Sequence, residues 1–269
     1  MNGSTIKVRQ CSRPQVIQPC SLNLFNYQID PYIGCEHHCH YCYTLNQADT
    51  DSTGEIFIHK DIITQLNHEL STLEPQTIYM GMNTDPYQPC EKEYQQTRKV
   101  LEFLAQRGFS VCVLTKSELI VRDIDLFARM KGSSVGISIA FQDEQVRRLF
   151  EAKAPPNEKR IEALKMVRQA GIETYMLICP VMPFITDVES LIEKVAPYAD
   201  TIWIYPLSME KEKDRNWQNV KGILDRHFPD MTDRYRQIAF STSHPYWTKL
   251  RRKLDKLQQE KEFNLKIEF

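Results

Sequence analysis

Three thiols within eight residues carry the clearest chemical signal in this chain. The run Cys35-Glu36-His37-His38-Cys39-His40-Tyr41-Cys42-Tyr43 sets them at C-x3-C-x2-C spacing and follows the last with an aromatic residue. Three thiolates on one short loop can hold three corners of a [4Fe-4S] cube. Such clusters ordinarily take four Cys ligands, so the fourth iron is left to a group other than a thiolate. The same stretch offers His37, His38 and His40, and a tetrahedral zinc is the competing reading. Structural zinc sites favour paired knuckles far apart in sequence, and no second knuckle follows. A disulfide framework is disfavoured too. The sequence shows neither a signal peptide nor an apolar run approaching about 18 residues, so the expectation is a reduced, cytoplasmic protein with no membrane segment.

A cysteine loop needs rigid elements around it. β-branched and apolar runs alternate with helical periods along the chain, a pattern that argues for βα units on a parallel sheet. Asn26 to Ile33 reads as the first strand, ahead of the cysteines. Next come a helix from Lys60 to Leu73, with Ile62, Leu66, Leu70 and Leu73 on one stripe, and the strand Thr77 to Met82. A helix from Lys92 to Arg107 stops at Gly108, a residue suited to a left-handed C-cap, and feeds the strand Phe109 to Thr115. A helix from Arg122 to Met130, the strand Val135 to Phe141, and a second helix-Gly-strand phrase through Gly171 into Glu173 to Ile178 follow. Thr186 and Glu189 form a capping-box pattern before a helix ending near Val195, and Thr201 to Tyr205 is the sixth strand. Six βα units make an open, partial TIM-like barrel, not the closed eight-stranded form. The expected organisation is an N-terminal extension over 1–24, a partial (β/α)6 barrel over 25–206 and a C-terminal extension over 207–269. In that last part Trp247, Leu250, Leu254 and Leu257 share a helical stripe, and Phe263 to Phe269 alternates like a strand.

The C-x3-C-x2-C loop after a first strand resembles the radical S-adenosylmethionine (SAM) superfamily, in which SAM chelates the open iron through its amino and carboxylate groups. Further motifs make the chain look like the spore photoproduct lyase family, also described as DNA repair photolyase-related. They are Asp30-Pro31-Tyr32-Ile33-Gly34-Cys35, Asn83-Thr84-Asp85-Pro86-Tyr87-Gln88-Pro89, Thr115-Lys116-Ser117, and Cys179-Pro180-Val181-Met182-Pro183 with Thr186-Asp187. The resemblance implies a [4Fe-4S] cluster on Cys35, Cys39 and Cys42, with SAM as second cofactor. The cluster would cleave SAM reductively to a 5'-deoxyadenosyl radical that abstracts hydrogen from substrate. It also implies a reductant protein such as flavodoxin or ferredoxin, and nucleic acid as the leading substrate class, with a peptide or small metabolite as the alternative.

Site residues follow from the same resemblance and from position, since barrel enzymes build their sites at the carboxyl ends of strands. Lys116 could pair with the SAM carboxylate and Ser138 could bond its ribose or amino group. Asn83 and Thr84 fall in the cofactor-binding stretch after the second strand, and backbone amides around Leu177 could face adenine. Tyr41 and Tyr43 would contact SAM or relay a hydrogen atom, and Asp85 is a site candidate although Asp before Pro is also ordinary turn chemistry. The lyases carry a hydrogen-donating cysteine just after the second strand. Met82 or Asn83 stands there in this chain, with Cys90 a few residues beyond as the displaced candidate. Cys11, Cys20, Cys112 and Cys179 read as small buried hydrophobes.

Composition sets the remaining bounds. At 269 residues and 42% hydrophobic, the chain can bury one sizeable core. A net charge of -1 gives no global reason to bind nucleic acid, yet Met231 to Phe269 carries nine Lys/Arg against five Asp/Glu. Arg251, Arg252, Lys253 and Lys256 fall on the expected C-terminal helix, where they could meet phosphates.

Overall fold

A computed structural model describes residues 7–11, 15–47 and 55–269. Residues 1–6 and 12–14 of the expected N-terminal extension lie outside the described residues. Among the described residues eleven strands form two sheets. They are β1 (Lys7–Cys11), β2 (Ile17–Pro19), β3 (Tyr27–Ile29), β4 (Tyr32–Ile33), β5 (Glu55–His59), β6 (Thr77–Met80), β7 (Ser110–Thr115), β8 (Ser134–Ser138), β9 (Glu173–Val181), β10 (Thr201–Pro206) and β11 (Leu265–Ile267). The large sheet has the order β11-β10-β9-β8-β7-β6-β3-β2, and the small one β1-β5-β4. In the large sheet every pairing from β3 through β6, β7, β8, β9 and β10 to β11 is parallel, and β2 runs antiparallel on β3; in the small sheet β1 is parallel and β4 antiparallel to β5. This is the α/β fold with a partial parallel barrel that the alternating pattern calls for.

The helices between strands are α1 (Ile62–Glu69), α2 (Glu91–Tyr94), α3 (Gln96–Gln106), α4 (Ile124–Phe127), α5 (Glu144–Phe150), α6 (Asn157–Gln169) and α7 (Val188–Val195). After β10 come α8 (Arg215–His227), α9 (Thr232–Ala239) and α10 (Pro245–Lys261), and then β11 adds itself to β10. Strand residues alternate between two environments because successive side chains point to opposite faces. Ile78, Val111, Val113, Val135, Ile137, Met176, Ile178, Ile202 and Ile204 join one core with Leu101, Leu164, Val167 and Ile192 of the helices. Tyr79, Cys112, Gly136, Ser138, Tyr175, Leu177, Cys179, Trp203 and Tyr205 occupy the alternate positions and form the helix-free concave face. Gly136 is required there: a Cβ would fall 2.1 Å from the Tyr175 ring that crosses it.

Several expected boundaries shift, each for a local reason. Asn26 to Ile33 is two strands, not one: β3 joins the large sheet and β4 the small one, with Asp30 and Pro31 between them. The expected helix Lys92 to Arg107 breaks at Gln95 (φ 50°), because the buried Glu91 carboxylate accepts from the N–H groups of Thr97 and Arg98 and so caps α3 afresh. The helix expected from Arg122 is a 3-10 segment, Glu118–Asp123, running into α4. Asp187, not Thr186, caps α7 by accepting from Ser190 N, while Thr186 Oγ1 donates to Ala140 O. Gly108 adopts φ 74° as the C-cap reading requires, with Phe109 N donating to Leu104 O at 3.1 Å. At the C-terminus Trp247 and Leu254 are fully buried and Leu250 and Leu257 pack beside them, so the stripe holds. Among the described residues no helix is long and apolar enough to cross a membrane.

Candidate active site

The cysteine loop leaves β4 and is strapped on both flanks before any ligand is considered. On one side, Thr84 Oγ1 donates to Gly34 O at 2.5 Å and Gln88 Nε2 to the same carbonyl at 3.1 Å, while Glu36 N donates to Gln88 Oε1 at 2.9 Å. On the other, His40 N donates to Phe150 O at 2.9 Å and the Tyr41 hydroxyl donates to the Glu151 carboxylate. The loop is thus fixed by the segment after β6 and by the end of α5. Cys35, Cys39 and Cys42 are free and partly exposed thiols.

The surroundings of Cys35 fit a thiolate ligand. The backbone N–H groups of His37 and Asp85 point at its sulfur, the kind of hydrogen bond that stabilises cluster thiolates. Without a cation, burial and then the Asp85 charge push its pKa up to about 12, and burial likewise raises Cys39. A bound metal reverses that balance, since a coordinating thiol is deprotonated outright. Cys39 and Cys42 are both within electrostatic range of Cys35. Among the described residues no three His, Cys, Asp or Glu side chains converge closely enough to hold a metal ion.

Asp85 lies beneath Cys35 and is almost fully buried. Its Oδ1 accepts from Tyr87 N at 2.8 Å and Thr115 Oγ1 at 2.6 Å, its Oδ2 from Lys116 N at 2.7 Å, and His37 Nε2 stands 3.1 Å from Oδ2. Burial alone would raise its pKa, but the His37 ring and these hydrogen bonds prevail and hold it at about 2. Asp85 therefore anchors the cysteine loop to the end of β7.

Across the loop, Lys116 reaches into the concave face. Its Nζ donates to Ser138 Oγ at 3.1 Å and lies 5.9 Å from the Tyr41 ring centroid. Burial pulls its pKa down, but the charges of Cys39 and Glu151 outweigh that and keep it a cation. Glu151 is the hub below. It pairs with Arg160 at 2.6 Å with both side chains inaccessible, and burial, which would raise its pKa, loses to Arg160, Lys116 and the Tyr41 hydroxyl. Arg160 also donates to Ser138 O at 2.9 Å. Tyr41, Lys116 and Ser138 are thus tied into one buried network that sequence reading did not assemble. Glu151 and Arg160 left no signal, since charged residues at the end of α5 and within α6 read as surface.

The other candidates fall as follows. Tyr43 is 48% exposed at the mouth, its hydroxyl donating to Met82 O at 2.5 Å. Asn83 is held by Asp30, donating from N at 3.1 Å and from Nδ2 at 2.8 Å. Leu177 sits in β9 between β8 and β10, and its carbonyl accepts from Ile139 N, so a strand flanked on both sides offers the concave face its side chain. Cys90 stands against the cysteine loop, its backbone N–H donating to Glu36 Oε2 at 2.5 Å, while its side chain packs in the small apolar cluster with Tyr32, Ile56 and Ile58. Cys179, set aside as incidental, instead shares the concave face near Lys116 and Cys42, with burial raising its pKa to about 11. Its alternation with Leu177 along β9 was the signal available.

Known proteins bear on this arrangement. The radical SAM superfamily profile matches residues 29–195. An uncharacterized protein of Methanocaldococcus jannaschii is 29% identical over 233 residues, covering 85% of this chain and 86% of that protein. An uncharacterized protein of Mycobacterium tuberculosis is 29% identical over 231 residues, covering 80% and 67%. In fold, the chain is similar to spore photoproduct lyase with bound AdoMet and dinucleoside spore photoproduct (TM-score 0.62, 20% identity, 82% of this chain and 66% of that one). It is also similar to Streptococcus suis SuiB bound to S-adenosylmethionine (TM-score 0.57, 13% identity, 89% and 49%). The chain therefore spans just under two thirds of the lyase and about half of SuiB. With well over half its length matched by that profile, the protein belongs to the radical SAM superfamily of enzymes, which implies a [4Fe-4S] cluster and SAM.

Proposed function

We propose that Cys35, Cys39 and Cys42 hold a [4Fe-4S] cluster and that the chain binds SAM between this loop and the ends of β7 to β9. The observation that carries the reading is the convergence of the strapped three-thiol loop with Lys116 and Ser138 across one buried network. When bound, the reduced cluster supplies the electron that splits SAM into methionine and a 5'-deoxyadenosyl radical. The chain's own residues bind, orient and shield. Lys116 meets the SAM carboxylate, Ser138 and Asn83 offer polar contacts, Thr84 and Asp85 hold the cluster loop, and Leu177 packs against the adenosyl group. Tyr41, fixed by Glu151, and Tyr43, at the mouth, stand between cluster and substrate. Burial raises the pKa of both phenols, so each stays neutral. Residues 25–206 form the catalytic barrel of a cytoplasmic enzyme, and 207–269 close its end through β11 and α10.

For the substrate, a nucleobase-bearing molecule is favoured by the concave face, whose partly exposed Tyr175, Trp203 and Tyr205 offer flat surfaces on which bases stack. Of Arg251, Arg252, Lys253 and Lys256 on α10, only Arg252 is exposed without an ion pair among the described residues. Arg251 bonds Asp255 and the carbonyls of Ile267 and Phe269, Lys253 pairs with Glu189, and Lys256 with Glu260. Stimulation of 5'-deoxyadenosine formation by oligonucleotides, screened against peptides, tests the class; stimulation by peptides alone would overturn it.

Removing Lys116 tests the cofactor arrangement. A charge-assisted hydrogen bond is worth about 1.5 to 3 kcal/mol, so Lys116→Ala should weaken SAM binding by roughly one to two powers of ten. Titration of SAM into the reconstituted variant and wild type reads this directly, and equal affinities would remove Lys116 from the site.

A further inference from the structure

On the outer side of the cysteine loop lies a pocket of about 270 Å³. None of the concave-face side chains lines it. His37 forms its floor, Tyr87 and Lys92 come from the segment after β6, Ser117 and Arg122 from the segment after β7, and Lys153 from the turn between α5 and α6. The His37 ring is 2% exposed. Its Nδ1 has no hydrogen-bond partner among the described residues, while Nε2 faces Asp85. A buried ring nitrogen left without a partner costs free energy unless a ligand or water meets it.

Two exposed cations rim this pocket. Lys92 and Lys153 are exposed and form no ion pair among the described residues. Arg122 is engaged by Glu91 and Asp123, and Glu118, the acidic group on the wall, is taken by Lys159 at 3.1 Å. Drug-sized ligands occupy pockets of about 300 to 1,000 Å³, so this one suits a single anionic group, not a whole cofactor. Its floor is also the cluster loop itself, because His37 lies between Cys35 and Cys39 and its backbone N–H points at the Cys35 sulfur.

We propose that this pocket receives an acidic side chain of the protein that delivers electrons to the cluster, so that an acidic donor docks against the outer wall of the Cys35–Cys42 loop. The proposal rests on the cluster assignment above. One electron passes per encounter; the donor is oxidised by one electron and the cluster reduced by one, with no bond made or broken. Charge-steered encounters of this kind are fast, small in area and weakened by salt.

The test uses reconstituted holoprotein, reduced flavodoxin as the acidic donor, and the variant Lys92→Glu/Lys153→Glu, whose two exposed positions leave the core untouched. Flavodoxin affinity at two salt concentrations and the rate of cluster reduction are measured beside reduction by dithionite, which needs no docking. The variant should lose at least about tenfold in affinity and in flavodoxin-driven rate and show a flatter salt dependence, with iron content and dithionite-driven SAM cleavage unchanged. Equal behaviour of variant and wild type, or no flavodoxin binding by wild type, overturns the proposal. So does saturable binding of inorganic phosphate that the variant loses while flavodoxin docking is unchanged, which would make the pocket a free-anion site. Absence of iron or of dithionite-driven cleavage in wild type would instead defeat the cluster reading.

Discussion

Changing Cys35, Cys39 and Cys42 together to Ala is expected to leave a folded protein that holds no iron after anaerobic reconstitution. Folding should survive because the loop is held by other groups: Thr84 and Gln88 on the Gly34 carbonyl, Gln88 on Glu36 N, and Phe150 O on His40 N. None of the three residues belongs to the apolar core, so truncation opens no core cavity. Iron binding should vanish, since no other described residues near the loop supply a thiolate set: Cys90 packs into a small apolar cluster, and Cys179, on the concave face near Cys42, is a single thiol. Iron analysis with circular dichroism on the same sample checks both halves. Iron retained at the wild-type level would refute the ligand assignment.

Glu151→Leu should destabilise the apoprotein by about 3 to 5 kcal/mol, the usual result of stripping one partner from a buried ion pair. The change leaves Arg160 fully buried beside the Lys116 cation and removes the acceptor for the Tyr41 hydroxyl. Glu151→Leu/Arg160→Leu should recover much of the loss, because the uncompensated charge is gone. Urea denaturation of the three variants against wild type gives the comparison. A single-variant cost below about 1 kcal/mol would mean the pair is solvated and cannot position Tyr41.

The parallel sheet was legible because its signals are local: apolar alternation marks each strand, and Gly108 and Gly171 mark two of the helix ends. Cysteine spacing likewise announced the loop. What stayed hidden depends on long-range contact. Glu91 capping a second helix, Asp85 gathering Thr115, Lys116 and His37, and Glu151 joining Arg160 to Tyr41 all link positions that the sequence separates by as little as 6 and as many as 110 residues. Lys116 and Ser138 could be placed individually from strand ends, but their mutual hydrogen bond follows only from the register that sets Thr115 beside Ile137. The motif Asn83 to Pro89 was read mainly as cofactor-binding. In the fold, Thr84, Asp85 and Gln88 spend their hydrogen bonds on the cysteine loop, the β7 end and His37.

The most direct test of the central claim is the formation of 5'-deoxyadenosine from SAM by anaerobically reconstituted, dithionite-reduced protein, quantified beside methionine and beside the triple cysteine variant. Wild type should release the two products in equal amounts and the variant neither; fully iron-loaded wild type that binds SAM yet yields no 5'-deoxyadenosine would contradict it.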